Sequence, residues 1–284
     1  MNRSLDSREF KLILKPVIFR DRNEGIRELQ KIIDSKVKML NGKFEPEYDK
    51  KPKFRRTYYL DTINYKLKSK NFFLRIRQDK ESNKYTITLK CRHPDRYIAT
   101  LYDLSGPTIQ NTKFEEDIIA PHVSKFSISA EFEEEQEPEI NSLEDVKKIF
   151  PGLREHDLGD GKIEKVNKFE AKEISVDLGK ISYDDNKDDK DDNNKIKTSL
   201  NFWYSPNNEE IPIIVEFTYN YSAIKKKKEE KDKKDKMKIS MEEFFLPLVS
   251  NTYQFYTSLQ VNKKIIDLNS SKTKTQFVYD QYKP

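Results

Sequence analysis

The feature that most restricts how this chain can fold is a charge pattern set into strand-like segments. Glu9 and Lys11 alternate with Phe10, Leu12 and Leu14; Arg75 and Arg77 alternate with Leu74 and Ile76. Lys90 and Arg92 follow a segment in which Tyr85, Ile87 and Leu89 alternate with Thr86 and Thr88. Side chains two positions apart on a strand share a face. Each segment therefore has one apolar face and one strongly ionic face. Two arrangements satisfy this pattern. The ionic faces can form the outside of a sheet, with dispersed salt bridges worth little each. Alternatively, the apolar faces point outward under helices and the ionic faces line a closed barrel, which makes an anion-binding channel in place of a packed core.

Composition removes several classes. Of 284 residues 36% are charged, against about 25% in an average soluble chain, yet 54 basic and 49 acidic residues leave a net charge of only +5. Residues 225–238 (KKKKEEKDKKDKMK) hold nine lysines and four acids, which accounts for that surplus. Net charge is therefore no footprint of nucleic-acid binding, which rests on this tract alone. With seven glycines the chain has neither GxGxxG nor GxxxxGK[ST]; Gly161-Lys162 is followed by Ile163 where a magnesium-binding hydroxyl is needed. The single cysteine, Cys91, excludes internal disulfides and Cys-based zinc cages and reads as an inert thiol in a reducing compartment. His93, His122 and His156 form no HExxH motif. No apolar run approaches the roughly 18 residues of a membrane span, and the start lacks a signal-peptide core. A cytoplasmic protein without a membrane partner is expected.

One domain over residues 1–284 is expected, interrupted by low-complexity insertions near 131–139, 184–197 and 225–238 that read as solvated loops. Strands are expected around 57–60, 114–119, 173–178, 200–204 and 211–219, besides the three ionic segments. Helices are expected over 23–40, with Ile26, Leu29, Ile33, Val37 and Leu40 on one stripe, over 143–150 after an N-cap at Ser142, and beyond Ser240. Ser240 and Glu243 have capping-box spacing, and Pro247 would kink that last helix. Trp203 reads as core, and Asp61 with Thr62 as a strand-end turn cap. The class is α+β, with an antiparallel barrel or sandwich.

The succession Tyr58-Tyr59-Leu60-Asp61-Thr62, Leu67-Lys68, Leu74-Arg75-Ile76-Arg77 and Tyr85-Thr86-Ile87-Thr88-Leu89-Lys90 resembles the CYTH domain of the triphosphate tunnel metalloenzymes. Ser7-Arg8-Glu9-Phe10-Lys11 falls where that family has ExExK. Val215-Glu216-Phe217-Thr218 stands for its later ExE strand, Lys113-Phe114-Glu115 for its RxE strand, and Ser271-Lys272 with Phe277 for its C-terminal lysine motif. The resemblance implies an eight-stranded antiparallel tunnel that binds inorganic triphosphate, ATP or a similar small molecule with Mg²⁺ or Mn²⁺. It implies substrate contacts from Lys11, Arg75, Arg77, Lys90, Lys113 and Lys272, with Arg56 and Arg92 as further candidates. Glu9 and Glu216 would be the metal ligands and, with Lys11, the catalytic set, and Glu115 would support the basic lining. A triphosphate carries about four charges, which suits several fixed cations. Hydrolysis would be in-line attack by metal-activated water. The chain departs from the family at Ser7 and Thr218, which stand where acids are expected, and at Asn167, where an arginine is common. The basic half is intact and the acidic half thinned, which favours binding over fast hydrolysis. Three readings follow: a metal-dependent triphosphatase, a non-catalytic polyphosphate or nucleoside-triphosphate binding module, and an adenylyl cyclase.

Overall fold

The computed structural model describes residues 4–183, 196–222, 246–267 and 273–280. The expected insertions at 184–197 and 225–238, the Ser240–Glu243 cap and Lys272 lie wholly or mostly outside the described residues.

The strands are β1 (Ser7–Leu14), β2 (Lys43–Pro46), β3 (Lys53–Thr62), β4 (Phe72–Asp79), β5 (Tyr85–His93), β6 (Asn111–Ile119), β7 (Val123–Glu134), β8 (Ile163–Ser182), β9 (Ile196–Tyr204) and β10 (Ile214–Ser222). Their order is β2-β8-β3-β4-β5-β7-β6-β1-β10-β9, and β8 also pairs with β9. That second pairing closes nine of the strands into a barrel and leaves β2 outside it. The expectation of eight antiparallel strands is corrected in two ways: nine strands close the barrel, and β1 runs parallel to β6, with Ser7 opposite Glu115 and Glu9 opposite Asp117. The expected acidic loop at 131–139 is also corrected. Residues up to Glu134 belong to β7, and Thr88 pairs with Glu131.

Most of the apolar core lies outside the barrel. Helix α1 (Arg22–Lys38) starts where the Asp21 carboxylate accepts a bond from the Glu24 amide at 2.9 Å and ends with Lys36 and Lys38 in its last turn. Its buried stripe of Leu29, Ile33 and Val37 packs on Phe10, Leu12, Leu14, Phe202 and Phe217. The short helices α2 (Lys66–Ser69), α3 (Arg96–Ala99) and α4 (Leu143–Ile149) cover the opposite wall, where Leu74, Ile76, Ile87 and Leu89 are buried. Ser142 caps α4 in a reciprocal box with Asp145. Helix α5 (Leu246–Gln260) adds Phe255, Tyr256 and Leu259 to the first layer. Helix α6 (Lys274–Asp280) sends Val278 and Tyr279 into a third apolar cluster with Tyr59, Phe169 and Trp203. No helix among the described residues is long and apolar enough to cross a membrane.

Strand β8 serves two neighbours by means of a bulge. Its register with β9 shifts between Asp177 and Gly179, and Gly179 has φ +147°. A Cβ at Gly179 would stand 2.3 Å from the Glu45 carbonyl oxygen on β2. Gly179→Ala is therefore expected to lower stability by about 2 kcal/mol through strain and displacement of β2, measured as a fall in the urea midpoint with an unchanged slope.

Candidate functional site

The inward faces enclose a cavity of about 320 Å³. Period-two alternation carries the ionic residues there. On β4 every second residue from Phe72 is buried under helices, which leaves Phe73, Arg75 and Arg77 facing in. Arg75 stands between Tyr59 and Thr88, and Arg77 between Thr57 and Thr86, so three of the four cross-strand neighbours are threonines. Hydroxyl side chains leave room for two guanidinium groups in one layer.

Of the residues expected in the site, Glu9, Lys11, Arg75, Arg77, Lys90, Arg92, Lys113, Glu115 and Glu216 all line this cavity. Arg56 does not. It shares a face with Tyr58, and its guanidinium bonds Glu137 Oε1 at 2.8 Å on the outer side. The adjacent Arg55 lines the cavity instead, because it is in phase with Tyr59. Lys272 lies outside the described residues; among the described residues, Lys274 of α6 lines the cavity. Asn167, compared above with a family arginine, is outside the cavity. It accepts from Tyr65 Oη at 2.6 Å and donates to the Val278 carbonyl at 2.7 Å, anchoring α6. Asp61 caps α2, accepting from the amides of Leu67 and Lys68 at 2.9 and 3.0 Å. Cys91 is fully buried, and burial pushes its thiol up to about 12.

The lining carries eight cationic side chains and four carboxylates, Glu9, Glu115, Glu131 and Glu216. Two further carboxylates, buried against the cations, organise them. Asp117 Oδ1 is 2.9 Å from Lys11 Nζ, and Asp117 Oδ2 is 3.1 Å from Lys90 Nζ and 3.3 Å from Arg92 Nη2. Burial would raise the Asp117 carboxyl, but these three cations hold it far below the usual carboxylate range. Glu173 plays the same part for Arg55 and Arg77, at 3.2 and 3.3 Å, and accepts from Trp203 Nε1 at 2.7 Å. Burial works against the charge of Lys11, yet Asp117, Glu9 and Glu216 raise its pKa above the ordinary lysine value. Lys90 moves the other way, lowered by burial and by Lys11 and Arg92.

Arg75 is the exception to this pairing. No carboxylate among the described residues lies within ion-pair distance of it, and its one side-chain bond is to Thr88 Oγ1 at 3.2 Å. Burial and the neighbouring Arg77 both lower its pKa. Arg75 Nε, Arg77 Nε and Arg92 Nε are shut off from solvent without a hydrogen-bond partner. Buried polar groups are normally satisfied; these three are not, and all three arginines line the cavity.

The fit to a divalent metal is poor. Glu9 stands opposite Asn220 and Glu216 opposite Ile13, four residues apart along the β1–β10 ladder, with Lys11 opposite Thr218 between them. Each carboxylate is held by an ammonium: Glu9 Oε2 by Lys11 Nζ and Glu216 Oε1 by Lys274 Nζ, both at 2.8 Å. No group of three His, Cys, Asp or Glu side chains among the described residues is arranged to hold a metal ion.

No family model and no curated protein matches the chain. Similar solved structures include a Hippeastrum protein provisionally named an adenylyl cyclase and described as having a dominant triphosphatase activity. It shows 14% identity over 86% of this chain and 88% of that one, with a TM-score of 0.34. Proteins provisionally named adenylate cyclases from Bacillus halodurans and Vibrio parahaemolyticus show 11% and 9% identity. They cover 90% and 89% of this chain and 92% and 90% of theirs, with TM-scores of 0.39 and 0.32. At this identity the functional argument rests on the residues themselves.

Glu173 gives a direct test of the electrostatic frame. A folded-state pKa held below the ordinary carboxylate value means that the group stabilises the fold above about pH 4.3, and that this contribution is lost as pH falls. Glu173→Gln leaves Arg55 and Arg77 without their shared counter-charge. It is expected to cost about 3 kcal/mol at neutral pH and to flatten the acid loss of stability between about pH 4 and pH 2, as read from urea titrations at stepped pH.

Proposed function

We propose that the tunnel is a binding site for a linear triphosphate or a triphosphate-bearing small molecule. The observation that carries this reading is Arg75, a guanidinium inside the barrel with no carboxylate partner and with Nε unsatisfied, beside the equally unsatisfied Nε groups of Arg77 and Arg92. Planar guanidinium forks suit pairs of phosphate oxygens, and the ammonium groups of Lys11, Lys90 and Lys274 suit single ones. The eight cations of the lining outnumber its four carboxylates, and with Asp117 and Glu173 counted an excess of two positive charges still favours a multiply charged anion. A monovalent or apolar ligand would leave most of these donors unanswered.

Hydrolysis with Mg²⁺ or Mn²⁺, and nucleotide cyclisation, are the competing readings of the same tunnel. The hydrolytic reading draws on Glu9 and Glu216 lining the cavity together with the cations. The lysine pairing of both carboxylates supports binding without turnover.

Calorimetry with tripolyphosphate is expected to show binding that weakens with added salt. Arg75→Ala should reduce affinity about 10- to 100-fold, the worth of one or two charge-assisted bonds, while the exposed Lys148→Ala leaves it unchanged. Orthophosphate should bind far more weakly than tripolyphosphate. Absence of tripolyphosphate binding would overturn the proposal. Phosphate release with Mg²⁺ or Mn²⁺ that disappears in both Glu216→Ala and Arg75→Ala would replace it with the hydrolytic reading, and cyclic AMP formed from ATP would replace it with the cyclase reading.

A further inference from the structure

Given that the tunnel binds a linear polyphosphate anion, as proposed above, we infer that it takes the anion free of any bridging divalent cation, with the protein's own ammonium and guanidinium groups as its counter-ions. The acidic positions expected to hold a metal, Glu9 and Glu216, are already committed, and Glu131 Oε1 accepts from Asn111 Nδ2 at 3.1 Å. Glu9 and Glu216 each pair with a lysine at 2.8 Å, and the ladder position midway between them belongs to Lys11 and Thr218. Asp117 is engaged by three cations. Ser7 Oγ donates to Glu115 Oε1 at 3.0 Å, and the Thr218 and Ser199 hydroxyls are 2.8 Å apart, so both positions that lack an acid are closed off by local hydrogen bonds.

A hard divalent ion on a phosphate site needs one or two carboxylates besides the substrate oxygens. To provide one here, Glu9 or Glu216 would have to release its ammonium and leave that lysine beside the incoming cation. Like charges at that separation in a partly dry cavity repel strongly. The free anion meets the opposite situation, since eight cationic side chains line the cavity against four carboxylates and Arg75 has no carboxylate within ion-pair distance among the described residues. Mg²⁺ in solution cancels two charges of the polyphosphate and occupies oxygens that the guanidinium groups would otherwise bond. It therefore acts as a competitor for the ligand.

The test is calorimetric titration of the full chain with tripolyphosphate, once with EDTA and once with excess Mg²⁺. The expected result is binding in EDTA and at least about tenfold weaker binding in Mg²⁺, a difference of about 1.4 kcal/mol. Affinity that is unchanged or raised by Mg²⁺, or binding that requires it, overturns this inference and leaves the proposed function standing. No binding in either medium overturns the proposed function itself. An independent measurement titrates Mn²⁺ alone and follows the free ion by its electron paramagnetic resonance signal. The expected result is no retention by the protein; saturable retention of Mn²⁺ lost in Glu216→Ala overturns the inference.

Discussion

A barrel lined with arginine and lysine can close only if buried counter-charge is placed at fixed points, and here Asp117 and Glu173 provide it. Asp117 joins β6 to the cations of β1 and β5, and Glu173 joins β8 to those of β3 and β4. Moving a charge out of water costs several kcal/mol, and a buried pair recovers this only with close geometry. Such pairs are therefore poor sources of net stability, although breaking one is expensive. The stability of this fold has to come from elsewhere. The two apolar layers outside the barrel, one under α1 and α5 and the other under α2, α3 and α4, contain most of the large buried side chains, and a smaller cluster around Trp203 and Phe169 adds to them. The usual order is thereby largely reversed: most of the core lies outside the sheet, and the interior holds the ionic side chains beside a few aromatic ones, Tyr59 and Phe73 among them.

This reversal explains how much of the site was legible in the sequence. Alternation along β1, β4 and β5 identified Glu9, Lys11, Arg75, Arg77, Lys90 and Arg92 because a strict period of two survives in those strands, and all six line the cavity. Arg56 was taken for its neighbour. Arg55 and Arg56 are both basic, and only the phase set by Tyr58 outside and Tyr59 inside distinguishes them. Asp117 and Glu173 were missed because nothing local distinguishes them from the acids beside them, Glu115 and Glu116 on β6 and Glu170 on β8. Their meaning comes from cations more than ten residues away in sequence, and nothing in local spacing records that. Strand β7 and the first half of β8 were missed for a different reason. Residues 131–134 read as an acidic loop, yet Glu131 faces the cationic lumen, where acid is favourable in a strand.

The helix nearest the cavity shows how the fold and the charge balance depend on each other. Helix α6 has seven residues, too few to be stable alone in water. It is held by the Tyr59 and Thr275 hydroxyls at 3.1 Å, by the Tyr279 hydroxyl on Asp61 at 3.1 Å, and by Asn167 on the Val278 carbonyl. Asp61 also caps α2, so one buried carboxylate fixes both the turn after β3 and the placement of α6. What α6 contributes is Lys274, which neutralises Glu216 and lies 5.5 Å from the Trp203 ring. Without that lysine Glu216 would lose its ion-pair partner in the wall of the cavity. The C-terminal helix thus completes the electrostatics of the cavity as well as covering part of its wall, and Glu216 gains its partner only when the last described element of the chain has docked.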